Sequence, residues 1–223
     1  MLLPPTLFAA IEPHFNHHDC WHMARRQGQE PLRAKFQGEC GPHLHGIDEV
    51  GSGCDFLGFH RRMMRHFGWL LDALKPDAFR FEPWPGPMLP AWVQKAVGVA
   101  YPAFDFDAFY QRVRELVHAG DMESLGGFIE PNVLHRGRPG AGLHGRLHFG
   151  IDDFERTLYG GDDTAPMSDF GRSPGNVFFW TVHGWIDDLY AECQRAAGQE
   201  PDRTPLEMEH VHIECRGRYV PLF

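Results

Sequence analysis

Between Phe56 and Lys75 the chain places Phe59, Met63, Met64, Phe67, Leu70, Leu71 and Leu74 at intervals of three and four, and the run stops before Pro76. That is the spacing of one helix face, and it predicts a helix over 56–75. A second run, 105–120, opens with Asp105 as a cap and an acidic first turn. It carries Phe106, Phe109, Val113, Leu116 and Val117 on one side and ends at Gly120, again a helix. The third run differs. NVFFWTVHGWIDDLYAECQ, 176–194, is apolar or aromatic around most of its circumference, through Phe178, Phe179, Trp180, Val182, Trp185, Ile186, Leu189 and Tyr190. It predicts a buried helix from about Val177 to Ala197, closed by Gly198. His183 stands in its middle, and a buried imidazole needs a hydrogen-bond partner or something to ligate.

The remaining segments are less regular. The first fifty or so residues are punctuated by Pro13, Pro31 and Pro42, with one short helix expected around HHDCWHMARRQ. Residues 76–104 hold Pro76, Pro83, Pro85, Pro87, Pro90 and Pro102 around Trp84 and Trp92, which reads as a long ordered loop packed by aromatics. RGRPGAG, 136–142, leads into LHGRLHFGIDDFERTL, and GGDDTAPMSDFGRSPG, 160–175, separates that from the third run. The tail EMEHVHIECRGRYVPLF reads as a short strand or extended arm. No internal repeat or low-complexity segment is apparent.

Composition narrows the class. With 223 residues and 43% hydrophobic content the chain is expected to bury one core as a single domain, 1–223. A formal charge of -9 and a pI near 5.9 argue against nucleic-acid and anionic-membrane partners. No segment is long and apolar enough to span a bilayer, Pro4 and Pro5 break the first apolar stretch, and a cytoplasmic location is expected. Cys20, Cys40, Cys54, Cys193 and Cys215 are odd in number, scattered and never spaced as CxxC, so reduced thiols are expected. There is no GxSxG, no GxGxxG after a strand and no P-loop.

The informative excess is histidine: 15, against 21 Lys plus Arg. Several fall in pairs, His17 with His18, His43 with His45, His144 with His148 and His210 with His212. Imidazole is the commonest protein ligand for copper, zinc, iron and nickel. His144 and His148, at i and i+4, share one helix face and can serve one metal. With His60 and His183 they would bring imidazoles from three helices into the interior. That is costly unless a metal coordinates them; the bland alternative is three separately hydrogen-bonded core histidines. A zinc hydrolase built on His144, His148 and His183 lacks the HExxH glutamate.

FLGFHRRMM, 56–64, resembles the first copper motif of tyrosinases, catechol oxidases and molluscan haemocyanins, in which aromatic and hydrophobic residues precede His-Arg. The run through Asn176, Phe179, Trp180, His183 and Asp187 resembles their second motif, and LHGRLHFGIDD resembles the HxxxH that supplies two further ligands. The resemblance covers about 43–195, which would be the copper-binding core, with a C-terminal arm over about 205–223. It implies a mainly α fold, an antiparallel four-helix bundle with long irregular loops, holding a dinuclear centre of two copper ions each bound by three histidines. The ligands would be His60, His144, His148 and His183, completed by His45 and His43, with His22 and His18 as competitors. Asp187 would orient the helix or imidazole beside His183, or else belong to a solvated face with Asp188. Gly68 stands where the family usually has an acid.

What the resemblance implies chemically is a type-3 copper oxidase. Dioxygen would be the co-substrate, oxidising a small aromatic phenol to an o-quinone-type product, with a copper-loading partner conceivable. Gly145 stands where monophenol-hydroxylating members often carry Asn, which points to a catechol or o-aminophenol substrate rather than a monophenol. Arg146 or Arg136 could attract a carboxylated aromatic, and Tyr219 or Phe223 could cover the site. The alternatives are a dioxygen-binding protein of haemocyanin type, or a degenerate one-metal or metal-free relative without oxidase activity.

Overall fold

The computed structural model describes residues 1–223 other than 77–78, 131–141, 161–163, 208–210, 216–217 and 223, with the backbone alone for 211–214 and 218–222. In chain order the helices are α1 (Pro5–Ile11), α2 (His17–Ala24), α3 (Glu30–Arg33), α4 (Ser52–Leu74), α5 (Ala91–Ala100), α6 (Phe106–Ala119), α7 (Met122–Ile129), α8 (Leu143–Tyr159) and α9 (Val177–Ala196). An antiparallel pair of strands follows, β1 (Val211–Cys215) and β2 (Arg218–Leu222), in register from Val211 opposite Leu222 to Cys215 opposite Arg218. The fold is mainly helical.

The ends of the long helices follow from local chemistry. The side chain of Asp105 accepts from the Ala108 N–H at 3.0 Å, and Gly120, with φ +65°, closes α6 in the left-handed region. Asn176 caps α9 by accepting from the Phe178 N–H at 2.9 Å. α4 begins earlier than its apolar face suggests, at Ser52, because Gly51 turns the chain into the helix at φ +101°.

One expectation about the connecting segments is corrected. Residues 76–104 are not loop throughout: α5 forms after Pro90 and buries Val93, Ala96 and Val97 at i, i+3 and i+4. It packs on α8 where Gly150 lets the helices approach, since a Cβ there would meet Val97 Cα at 3.0 Å. α7, unexpected because eight residues carry little periodicity, crosses α4 even more closely. A side chain at Gly53 or Gly126 would collide with the opposite backbone.

The core is aromatic. Trp180 of α9 stacks on Phe67 of α4 with centroids 4.0 Å apart, and Trp21 of α2 stacks on Phe59 of α4 at 4.1 Å. Such pairs add about 0.5–1.5 kcal/mol each beyond their area burial. They seat α2 and α9 on α4, so that all three present their polar positions to a common interior.

The expectation of reduced thiols is corrected as well. Cys20 of α2 is bonded to Cys215 of β1, with Cα atoms 6.2 Å apart, and Cys40 to Cys54, with Cα atoms 5.9 Å apart. The first pairing spans 195 residues, a separation at which spacing carries no signal. Cys193 is a buried free thiol. Among the described residues no helix is long and apolar enough to cross a membrane.

Candidate metal centre

Four helices contribute to one buried cluster of imidazoles: His18 and His22 from α2, His60 from α4, His144 and His148 from α8, and His183 from α9. Their ring nitrogens fall into two overlapping groups, His18, His22, His60 and His144, and His18, His144, His148 and His183. Within each group the atoms lie no more than 4.8 Å apart. The closest approaches are between Nε2 atoms: His22 to His18 at 3.1 Å, His60 to His18 at 3.4 Å and His144 to His183 at 3.0 Å. The rings of His60 and His183 stack at 4.6 Å.

The outward nitrogens fix the tautomers. Nδ1 of His60 donates to the Phe56 carbonyl at 2.7 Å, Nδ1 of His183 to the Phe179 carbonyl at 2.6 Å, and Nδ1 of His148 to the Met167 carbonyl at 2.8 Å. His22 Nδ1 faces a carboxylate, Glu130 Oε1, at 3.2 Å. Carbonyl and carboxylate oxygens only accept, so the proton of each of these four rings sits on Nδ1 and Nε2 presents a bare lone pair. His18 and His144 can offer at most one proton apiece to the interior. Four lone pairs therefore converge with too few protons to separate them, and His148 Nε2 has no hydrogen-bond partner at all. A bound cation would satisfy those lone pairs.

Protonation does not satisfy these lone pairs. Burial holds all six imidazoles below the ordinary histidine range, His148 down to about 3, and neighbouring histidines lower all but His22 further. His22 is likewise lowered by burial, so its contact with Glu130 is a hydrogen bond from a neutral ring and not an ion pair. The donor set is six neutral nitrogens, which suits copper, zinc, iron or nickel and could hold a metal ion.

The local devices repeat. His18 and His22 are four apart on α2, as His144 and His148 are on α8. His60 is bonded to the carbonyl of Phe56 four residues back, as His183 is to Phe179, and each ring packs on that phenylalanine, at 4.4 and 4.1 Å. Each half of the centre is thus an HxxxH helix followed by an FxxxH helix. Outside the rings lie a buried carboxylate, Glu130, and the partly exposed ring of Phe170. Phe170 packs against His148 at 4.6 Å, His18 at 5.8 Å, His22 at 6.4 Å and His144 at 6.5 Å.

Of the residues singled out from sequence, His60, His144, His148 and His183 come together in this cluster. His43 and His45 do not, which corrects their choice as ligands. His43 is exposed. His45 is captured by Asp55, whose Oδ2 accepts from both its backbone N–H and Nδ1 at 2.8 Å, while Oδ1 accepts from the N–H of Glu39 and Cys40. His18 and His22, the competitors, occupy the cluster instead.

Asn176, the cap of α9, also ties that helix to α8: its Nδ2 donates to Glu155 at 2.8 Å and to the Ala165 carbonyl at 3.1 Å. Asp187 touches no imidazole in the cluster; it pairs with Arg61 of α4 and, at 2.8 Å, with Arg203. Gly145 is buried next to His144 on α8. Gly68 faces Pro205, whose ring would lie 3.8 Å from a Cβ there. The guanidinium of Arg146 lies over Tyr101 and Phe104 at 4.7 and 5.2 Å. Arg136, His210 and Phe223, and the side chain of Tyr219, fall outside the described residues.

Fold and site together define a mainly helical protein with a buried six-histidine cluster able to hold metal. The chain matches no protein-family model, and no curated protein or solved structure matches it significantly.

Proposed function

We propose that this protein is a copper-dependent oxidoreductase of the type-3 kind, oxidising a catechol or o-aminophenol with dioxygen. The observation that carries the reading is the convergence of six neutral imidazoles, four of them with the proton held outward, from two copies of the same HxxxH and FxxxH pairing. It joins the resemblance of the segments around His60, His144 and His183 to the copper motifs of tyrosinases and catechol oxidases. In this reading α2, α4, α8 and α9 form the four-helix bundle. His18, His22 and His60 hold one ion, following the Nε2 contacts among them, and His144, His148 and His183 the other, where Nε2 of His144 meets that of His183 and His148 belongs to the same group of ring nitrogens.

When bound, a copper pair supplies the electron changes by which two catechols and one dioxygen become two o-quinones and two waters. The protein's own contribution is positional. Backbone carbonyls and Glu130 hold each Nδ1 proton away from the centre, so the Nε2 lone pairs stay available at neutral pH. The apolar rings of Phe56, Phe59, Phe170 and Phe179 keep bulk water away. Gly145 offers no side chain to hold a water near His144, which favours a substrate already activated toward oxidation. Phe170, packed against four of the histidines, favours a second reading in which access is narrow and dioxygen is bound without turnover. The two disulfides favour an oxidising compartment over the cytoplasm.

The test is copper content per chain on refilled protein, with its spectrum after hydrogen peroxide and its consumption of catechol and o-aminophenol. Two coppers, an intense near-ultraviolet band and substrate loss support the oxidase. Two coppers and the band without turnover support the carrier. One copper or none sinks both.

A further inference from the structure

Of the four imidazoles whose Nδ1 is held, His60, His148 and His183 rely on backbone carbonyls, and only His22 relies on a carboxylate. Glu130 Oε1 takes that hydrogen bond and, through the same oxygen, one from Arg25 Nη1 at 2.7 Å. Arg25 is anchored in turn on Ser52, through its carbonyl at 2.7 Å and its hydroxyl at 2.5 Å, and its guanidinium lies over Trp21 at 4.4 Å. Glu130 and Arg25 are both buried, at 2% and 0% side-chain exposure. Burying an ion pair is costly, and the other three rings show that a carbonyl suffices for orientation. The close crossing of α7 on α4 at Gly53 and Gly126 delivers Glu130, just past the end of α7, to α2.

A carboxylate accepting from an imidazole N–H draws the proton more strongly than a carbonyl does, and so strengthens the opposite nitrogen as a donor. That effect falls on one side of the centre only. We propose that Glu130 is a positioning residue that makes the α2/α4 half the tighter of two unequal metal sites, so that the first ion settles on His18, His22 and His60. The inference rests on the dinuclear reading above. Arg25 holds the carboxylate in place, and its charge keeps the buried assembly neutral.

The experiment is a titration of metal-free, full-length protein with Co(II) against a competing chelator, followed through the visible ligand-field bands. Wild type should take two ions in two resolved steps. Glu130→Gln keeps an oxygen able to accept from both His22 and Arg25 while removing the charge. It should weaken the first step by about 10–100-fold and leave the second unchanged, the range typical of outer-shell partners; Glu130→Asp should recover part of the loss. Equal steps in wild type, or a Glu130→Gln protein with both steps unchanged or equally weakened, would overturn the inference while leaving two-metal binding intact. Wild type that binds one ion or none would sink the dinuclear reading itself, and this inference with it. Should the Gln variant fail to fold, substoichiometric Co(II) on wild type decides. Ring protons of His22 and His60 should shift and broaden before those of His148 and His183; the reverse order, or simultaneous change, overturns it.

Discussion

Arg61 of α4 and Asp187 of α9 are ion-paired one residue beyond His60 and one turn beyond His183, so the two helices that bring the stacked imidazoles together are clamped beside them. Arg61 also donates to the Asp187 carbonyl at 3.1 Å and to Gln194 at 2.6 Å, and lies over the Tyr190 ring at 4.4 Å. The pair is buried, with side-chain exposures of 7% and 2%. Asp187→Ala would leave Arg61 charged and without its carboxylate. The expected cost is about 3–5 kcal/mol, read from urea unfolding of the metal-free protein. Asp187→Asn, which keeps an acceptor, should cost less.

Ligand identity separates His22 from His45. His22→Ala should reduce copper from two ions per chain to one, whereas His45→Ala should leave stoichiometry unchanged. His45→Ala should still lower stability, because Asp55 loses one of its four donors. Metal analysis with a parallel unfolding curve checks both outcomes.

The pH dependence of the metal-free protein follows from burial. Folded His148 takes a proton only near pH 3, whereas the unfolded chain takes it near 6.5, so between those values the unfolded state binds more protons. Stability should therefore be fully present above about pH 6.5 and fall steadily as pH drops toward 3; His18, His60, His144 and His183 add in the same direction. Urea midpoints at pH 7.5, 6.0 and 5.0 should decline in that order. A flat profile would mean these rings are solvated.

Phe170 is partly exposed and contacts histidines from both α2 and α8, so it stands between the centre and solvent. Phe170→Ala should speed extraction of bound copper by a chelator with little loss of stability, since a half-buried ring leaves a smaller cavity than a core one. Equal extraction rates would place the access route elsewhere.

The Cys20–Cys215 bond anchors the helix carrying His18 and His22. Replacing both cysteines by Ser should cost about 2–5 kcal/mol, and the difference should vanish when both proteins are reduced, since reduction opens Cys40–Cys54 in each.

What the sequence reveals depends on length and repetition. α4, α6 and α9 are legible because fourteen or more residues let a 3.6-residue period declare itself and because Asp105, Asn176 and Gly120 mark their ends. α7 and α1, at eight and seven residues, carry too few turns for that. His18 and His22 were present as a signal: they reproduce the His144 and His148 spacing and precede Phe56 and His60 much as that pair precedes Phe179 and His183. The helix carrying them is expected around HHDCWHMARRQ and is present as α2, but proximity to His60 favours His43 and His45 as ligands. Nothing in the sequence shows that Asp55 claims His45, that Met167 offers its carbonyl to His148, or that two glycines bring Glu130 to His22. Those depend on where separate elements cross.

The bond between Cys20 and Cys215 also closes most of the polypeptide into a covalent ring. His22, His60, His144, His148 and His183 all lie on that ring, and His18 lies two residues outside it. A single backbone cut anywhere between residues 20 and 215 therefore leaves all six histidines in one molecule, whose fragments separate on a gel only after reduction.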